Sequence, residues 1–235
     1  MKHLINLFLL LAPFIAVNAQ KSMSKGYVKM EITEATSDDQ QMAMGLEMMK
    51  GSVTEIHFTE GKYMTSMTMM GGMVKMNNLV ETETNKMDML MDAMGNKTWV
   101  ETNLDEAKQN KAAGAQSMED FKVDYDPSQR KKILDYDAYM ATITIPSQPG
   151  MKVVGWITED IKTDANIIQG MQDLKLKGFP LEFSITNPQM KLTFAATDIK
   201  DTVDESVFVL KTDGYKKMTM KEFTESMGGM GAMGF

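Results

Sequence analysis

The sequence predicts a mainly β protein: one highly curved antiparallel sheet of about ten strands, wrapped around two or three short helices that cover its concave face. Three observations carry this. From residue 25 onward, apolar and polar residues alternate over most of the chain, the pattern of half-buried strands. The alternating runs are joined by tight-turn residues such as Glu60-Gly61, Gly71-Gly72, Gly95-Asn96 and Asn187-Pro188, which make neighbouring strands antiparallel. Helical spacing occurs only in short segments.

The N-terminus reads as a secretory signal. Lys2 supplies the positive charge, residues 4–16 the apolar stretch, and Val17-Asn18-Ala19 the small-residue cleavage site. Asn6 and Pro13 interrupt a run already shorter than the ~20 residues of a spanning helix. Cleavage after Ala19 is expected, leaving a domain over 20–225, a flexible Gly/Met tail over 226–235 and no membrane anchor in the mature chain. The location that follows is periplasmic or secreted, in soluble form. With no cysteine in 235 residues, disulfides, thiol catalysis and thiolate metal sites are excluded, and stability must come from the core. A net charge of -7 argues against nucleic acid as a partner, because phosphates repel an acidic surface.

Taking the chain in order, residues 27–33 place Val28, Met30 and Ile32 on one face of a strand. Residues 41–48 read the same way, with Met42, Met44, Leu46 and Met48 aligned. Residues 53–58 and 62–70 form a hairpin, and 73–80 follow as a strand. Residues 86–92 turn through Gly95-Asn96 into 97–101. Asn103 is placed to cap a helix, with Glu106 reaching back, and Leu104, Ala107, Lys111, Ala115 and Met118 give a weak helical stripe. Strands resume at 121–125 and again from Lys132, followed by 139–145 and 151–157.

A second helix is expected over 164–177, where Ile167, Ile168, Met171 and Leu174 make one stripe and Gly178 stops it. Strands at 178–185 and 191–196 follow, with a last one at 206–210. Thr219 begins a final helix: it caps, Glu222 completes a capping box, and Met218 staples against Phe223.

Several segments together resemble a known family. They are Lys131-Lys-Ile-Leu-Asp-Tyr136, a tryptophan strand ending Thr158-Glu-Asp160, the strand start Gly178-Phe-Pro-Leu181, and the closing Val207-Phe208 and Gly214-Tyr215. The chain resembles the secreted Gram-negative domain-of-unknown-function family 4412, related to proteins with the lipoprotein-localisation-carrier (LolA-like) fold. The resemblance implies an unclosed antiparallel barrel of roughly eleven strands, a half-barrel with helices over its concave face. In the carrier relatives that concavity holds acyl chains. It implies no catalytic residues. Many carriers of that fold show an arginine at the cavity mouth; here Arg130 is the only arginine.

The chain contains 27 methionines, and fourteen of them lie between Met42 and Met94. Several recur at alternate positions: Met42/Met44, Met67/Met69 and Met87/Met89/Met91. Residues two apart in a strand share a face, so these strands would present thioethers on one surface. Methionine fills irregular core gaps, and a flexible methionine lining also accommodates varied apolar partners. The first functional expectation is therefore a non-catalytic protein binding a lipid or other apolar ligand, or an apolar partner segment, in a methionine-rich groove. Its candidate residues are Met42, Met44, Met67, Met69, Met87, Met89, Met91 and Trp156.

Two alternatives stand beside it. Thioethers select Cu(I), and Met227, Met230 and Met233 in the tail are the candidate ligands. An envelope structural or interaction protein, holding no small ligand, is the other. Catalysis finds no support. His57 is the only histidine of the mature chain and is expected to face solvent. Asp38-Asp39, Glu159-Asp160 and Asp204-Glu205 lie at turns or element ends. No nucleophile elbow, phosphate loop or zinc spacing occurs, and no cofactor is expected.

Overall fold

The computed structural model describes residues 22–109, 121–165 and 174–231. Twelve strands form one sheet, in the order β12-β6-β5-β4-β3-β2-β1-β11-β10-β9-β8-β7. The order begins and ends on unpaired edges, so the sheet is not closed into a barrel. Among the described residues, neighbouring strands are antiparallel except β12 (Lys216–Met218), which runs parallel to β6 (Asn96–Asn103).

Two meanders make up most of the sheet. In the first, β2 (Val53–Thr59), β3 (Lys62–Met69), β4 (Val74–Glu81), β5 (Lys86–Ala93) and β6 pair consecutively through short turns. In the second, β7 (Lys122–Ile133), β8 (Tyr136–Thr144), β9 (Lys152–Thr158), β10 (Phe179–Thr186) and β11 (Met190–Lys200) do the same. β1 (Gly26–Ser37) lies between β2 and β11 and joins the two.

The turns have visible causes. Gly61 and Gly95 adopt φ +77 and +88, a region closed to most side chains. Asn187 Oδ1 accepts the N–H groups of Gln189 (2.8 Å) and Met190 (2.9 Å), fixing the β10–β11 turn. The expected break between residues 125 and 132 does not occur. β7 is a single strand whose register shifts between Asp126 and Arg130, with Pro127 inside the irregularity. Proline lacks a ladder donor and is tolerated there because β7 is an edge strand.

Directly paired residues share a face, which lets the two faces be followed across the sheet. Val28, Ile56, Thr65, Asn78, Met89 and Val100 form one continuous row on what we call the covered face. The largest cluster of the core, including Val28, Met30, Ile56, Phe58, Ile143, Val153 and Phe183, is built mainly on that face. Ala165 and Leu174, which flank the undescribed residues 166–173, pack into the same cluster.

Among the described residues, three α-helices accompany the sheet. α1 (Gln40–Met49) buries Leu46 against Ile32, Ala35 and Leu192, with Met42 and Met49 alongside. Residues 41–48 are thus a helix and not the expected strand. Asp39 caps it, accepting the Met42 N–H at 2.8 Å, and the buried stripe Met42, Leu46, Met49 is helical in spacing. α2 (Leu104–Gln109) begins where expected: Asn103 Oδ1 accepts the Glu106 N–H at 2.8 Å.

α3 (Met220–Gly231) has the expected capping box. Thr219 N–H donates to the Glu222 carboxylate at 2.8 Å, and Glu222 N–H donates to Thr219 Oγ1 at 3.2 Å. These bonds hold the Glu222 carboxyl below its usual range, the backbone N–H contributing most.

Two further expectations are corrected. Residues 206–210 are not a strand: Asp204 accepts the Ser206 N–H at 2.9 Å and starts a 3-10 turn over Glu205–Phe208. Gly178 follows irregular chain at Leu174 to Leu176 and is not seen closing a helix. The centre of the helix expected over 164–177 lies outside the described residues, as do 1–19, Lys111, Ala115 and Met118. Among the described residues no helix is long and apolar enough to cross a membrane.

Candidate functional site

The strand register fixes where the methionines go. On β3, Met67 and Met69 lie on the covered face. Met67 pairs with Met76 of β4, and Met76 pairs with Met91 of β5. One row along, Asn78 pairs with Met89; two rows along, Val80 pairs with Met87. Met67, Met69, Met76, Met87, Met89 and Met91 therefore all project from one side of three adjacent strands. Met76 is a member that the alternate-position pattern within single strands did not single out. Only the pairing across strands reveals it.

This side carries α2 and α3. Met89 and Val100 pack with Met220 of α3, and Met76, Ala107, Met218 and Phe223 close around them. Met218 and Phe223 share this cluster, as a hydrophobic staple requires. Met89 and Met91 are buried, whereas Met67, Met69, Met76 and Met87 are half-buried. The meander thus offers an apolar surface of soft side chains that the helices cover only partly.

Three of the other candidates do not join it. Met42 and Met44 sit on α1; Met42 packs near Leu192, and Met44 is 70% exposed. Trp156, on β9 and outside the methionine strands, is half-buried against the main core cluster. It pairs with Met140 and Glu182, while its neighbour Gly155 takes the inward position opposite Ala141 and Phe183. Its ring is covered by the Lys131 ammonium at 4.6 Å, and Lys131 is held by Glu182 at 2.7 Å. The backbone of Met227 and Met230 continues α3, and Met233 lies outside the described residues.

The opposite face is polar and laced with lysine–carboxylate pairs. Lys217 bonds Glu101 and stands 4.5 Å from the Trp99 ring centre. Hydrogen bonding from Lys217 holds the Glu101 carboxyl below its usual range. Asp88, buried on this face, accepts the Trp99 indole N–H at 2.9 Å and pairs with Lys86 at 3.1 Å.

His57 is also on this face and is half-buried. Residues 203–210 fold back over the sheet here, where Phe208, Val203, Val207 and Leu210 cover Met64 and Leu79. His57 pairs with Met64 and lies against Tyr27, ring centres 4.8 Å apart. Burial lowers its pKa below the ordinary 6.5, against the opposing pull of Glu55 and Asp204, and its Nδ1 is buried with no hydrogen-bond partner among the described residues.

Two open clefts lie elsewhere. One of about 470 Å³ is bounded by Glu101, Glu106, Lys217, Met218, Thr219, Met220 and Glu222, at the foot of α3. The other, about 400 Å³, lies between the β8–β9 and β10–β11 turns. Neither contains the methionines of β3 to β5. Among the described residues, no three His, Cys, Asp or Glu side chains converge as a metal-binding set.

Comparison with known proteins gives no relative in sequence: no family model matches the chain, and no curated protein matches it. Solved structures do align. The lipoprotein LppX of Mycobacterium tuberculosis matches with a TM-score of 0.37 and 10% identity, over 77% of this chain and 89% of its own. MucB matches at 0.33 and 10%, over 83% of this chain and 60% of its own. LprF of Mycobacterium bovis matches at 0.31 and 11%, over 79% and 90% respectively.

Proposed function

We propose that this protein is a non-catalytic carrier that holds an apolar ligand, an acyl chain or comparable hydrocarbon, against the methionine-lined face of β3, β4 and β5. The observation that carries this is the register: Met67, Met69, Met76, Met87, Met89 and Met91 share one side of the sheet. Unbranched thioether side chains re-pack around ligands of different shape with little strain, which Leu and Val do not. α3 is the natural cover, because it rests on that face mainly through Met220 and Phe223. The fuller reading places the protein in the family 4412, exported through its N-terminal signal and working outside the cytoplasm. The resemblance of residues 131–136, 156–161 and 178–181 supports that assignment.

The test is native mass spectrometry of the protein purified from its own host, followed by titration of the delipidated protein with a fatty acid. The reading expects added mass matching a lipid, and fatty-acid binding that weakens when Met89→Asp places a charge under α3. A bare polypeptide that also fails to bind fatty acid overturns it.

A further inference from the structure

The covered face contains one row that differs from its neighbours in chemistry. Moving across the strands, the flanking rows are mixed: Met69, Val74 and Ala93 on one side, and Thr65, Asn78, Met89 and Val100 on the other. The row between them reads Thr54, Met67, Met76, Met91, Thr98. Three thioethers stand side by side on three adjacent strands, bounded at both ends by a threonine.

Direct cross-strand partners have Cβ atoms about 4.5–5.5 Å apart. Methionine adds three rotatable bonds beyond Cα, so the sulfurs of Met67 and Met91 can both swing toward that of Met76, the central member. Three sulfurs drawn from one side of a sheet describe a shallow trigonal set. Met67 and Met76 are half-buried, which leaves an approach from solvent, while Met91 is 8% exposed and supplies a dry floor. A thioether is a neutral, soft donor that hard cations ignore, and Cu(I) and its analogue Ag(I) accept it.

From this we infer that Met67, Met76 and Met91 form a thioether site for a soft monovalent cation of the Cu(I) type. The site differs in place and residues from the glycine-spaced methionines near the C-terminus. It does not rest on the carrier reading, since the cation needs only this row and not the rest of the face. Thioethers carry no proton to lose, so occupancy is insensitive to pH between about 5 and 8, unlike sites built from histidine or carboxylate.

The experiment uses Ag(I) alone, which needs no reductant, titrated into the full chain in chloride-free buffer and followed by methyl NMR of Cε-labelled methionine. The Met67, Met76 and Met91 methyl signals are expected to shift together with the first equivalent, equally at pH 5.5 and 7.5. The M67L/M76L/M91L variant, nearly volume-conserving and so expected to fold, is expected to lose that equivalent. A variant with Met227, Met230 and Met233 changed to leucine is expected to keep it.

Shifts confined to Met44, Met73 and Met94 or to the C-terminal methionines overturn the inference. So does tight binding that survives the triple change in the row, or no binding at all. The NMR readout on the unaltered chain decides the matter even if a variant fails to fold. Failure to bind fatty acid would leave this result untouched.

Discussion

The Trp99 indole donates its N–H to Asp88 Oδ1 at 2.9 Å across the β5–β6 hairpin, and Asp88 is 5% exposed. A buried carboxylate so placed must keep its partners, because an orphaned donor or acceptor costs more than the bond itself contributes. Asp88→Ala leaves the indole N–H and the half-exposed Lys86 ammonium without it. It is expected to destabilise the protein by about 1–3 kcal/mol in urea unfolding. Trp99→Phe, which removes the donor but leaves Lys86, is expected to cost less. The double variant should cost less than the sum of the two, since the contact is shared.

His57 gives a pH dependence whose sign is set by burial. Its folded pKa lies below the ordinary 6.5. Between those two values the unfolded chain binds more protons, so stability rises with pH through that window. It is lost as pH falls below about 6.5 and through the folded value. His57→Phe removes both the titrating group and the unpartnered Nδ1 while keeping a ring beside Tyr27. Melting temperatures at pH 7.5 and 5.5 are expected to differ less in the variant than in the parent.

Two glycines should respond in opposite directions. A Cβ at Gly178 would stand 2.4 Å from the Thr158 carbonyl oxygen and 2.8 Å from its carbon, both fixed backbone atoms. Gly178→Ala is therefore expected to cost about 2 kcal/mol or more. Gly45, inside α1, has nothing within 4 Å of such a Cβ, so Gly45→Ala is expected to stabilise by about 0.5–1 kcal/mol. Chemical denaturation of both variants checks the contrast.

Thr219 couples local structure to the proposed carrier function. Thr219→Ala removes the hydroxyl half of the capping box and is expected to cost α3 about 1 kcal/mol. Hydrogen exchange in the first turn of α3 should quicken. A fatty acid bound beneath the helix should leave faster, with the rest of the sheet unchanged.

These cases also show what could be read in the sequence. The β2–β6 meander was legible because its alternation, its glycine turns and its paired strands all agree. Residues 41–48 misled because methionine alternates there while also satisfying a helical stripe at Met42, Leu46 and Met49. The deciding signals were the capping Asp39 and a run of good helix formers with no β-branched residue. Trp156 stands apart from the methionines because β9 is separated from β3–β5 in the strand order, which a single strand's pattern does not show. His57 is half-buried beside Tyr27 and within the influence of Asp204, neighbours that only tertiary structure brings to it. Of the candidate site, five strand methionines could be listed in advance, but their alignment with Met76 depends on register, which no single strand encodes.

The position of β1 between two meanders has a consequence for how the chain reaches this state. Each meander pairs neighbours in sequence and can form early from local contacts. β1 cannot, because its contacts with β11 span the molecule: Thr193 Oγ1 donates to Glu34 across 159 positions. On the ribosome β1 emerges before its partner β2, and it waits for nearly the whole chain before β11 exists. During that interval one edge of β1 is unpaired, and the second meander, once made, presents an open edge at β11. Any chain halted there is a template for strand addition. Docking of the first strand against the last long one is thus expected to be a late, register-setting step of folding.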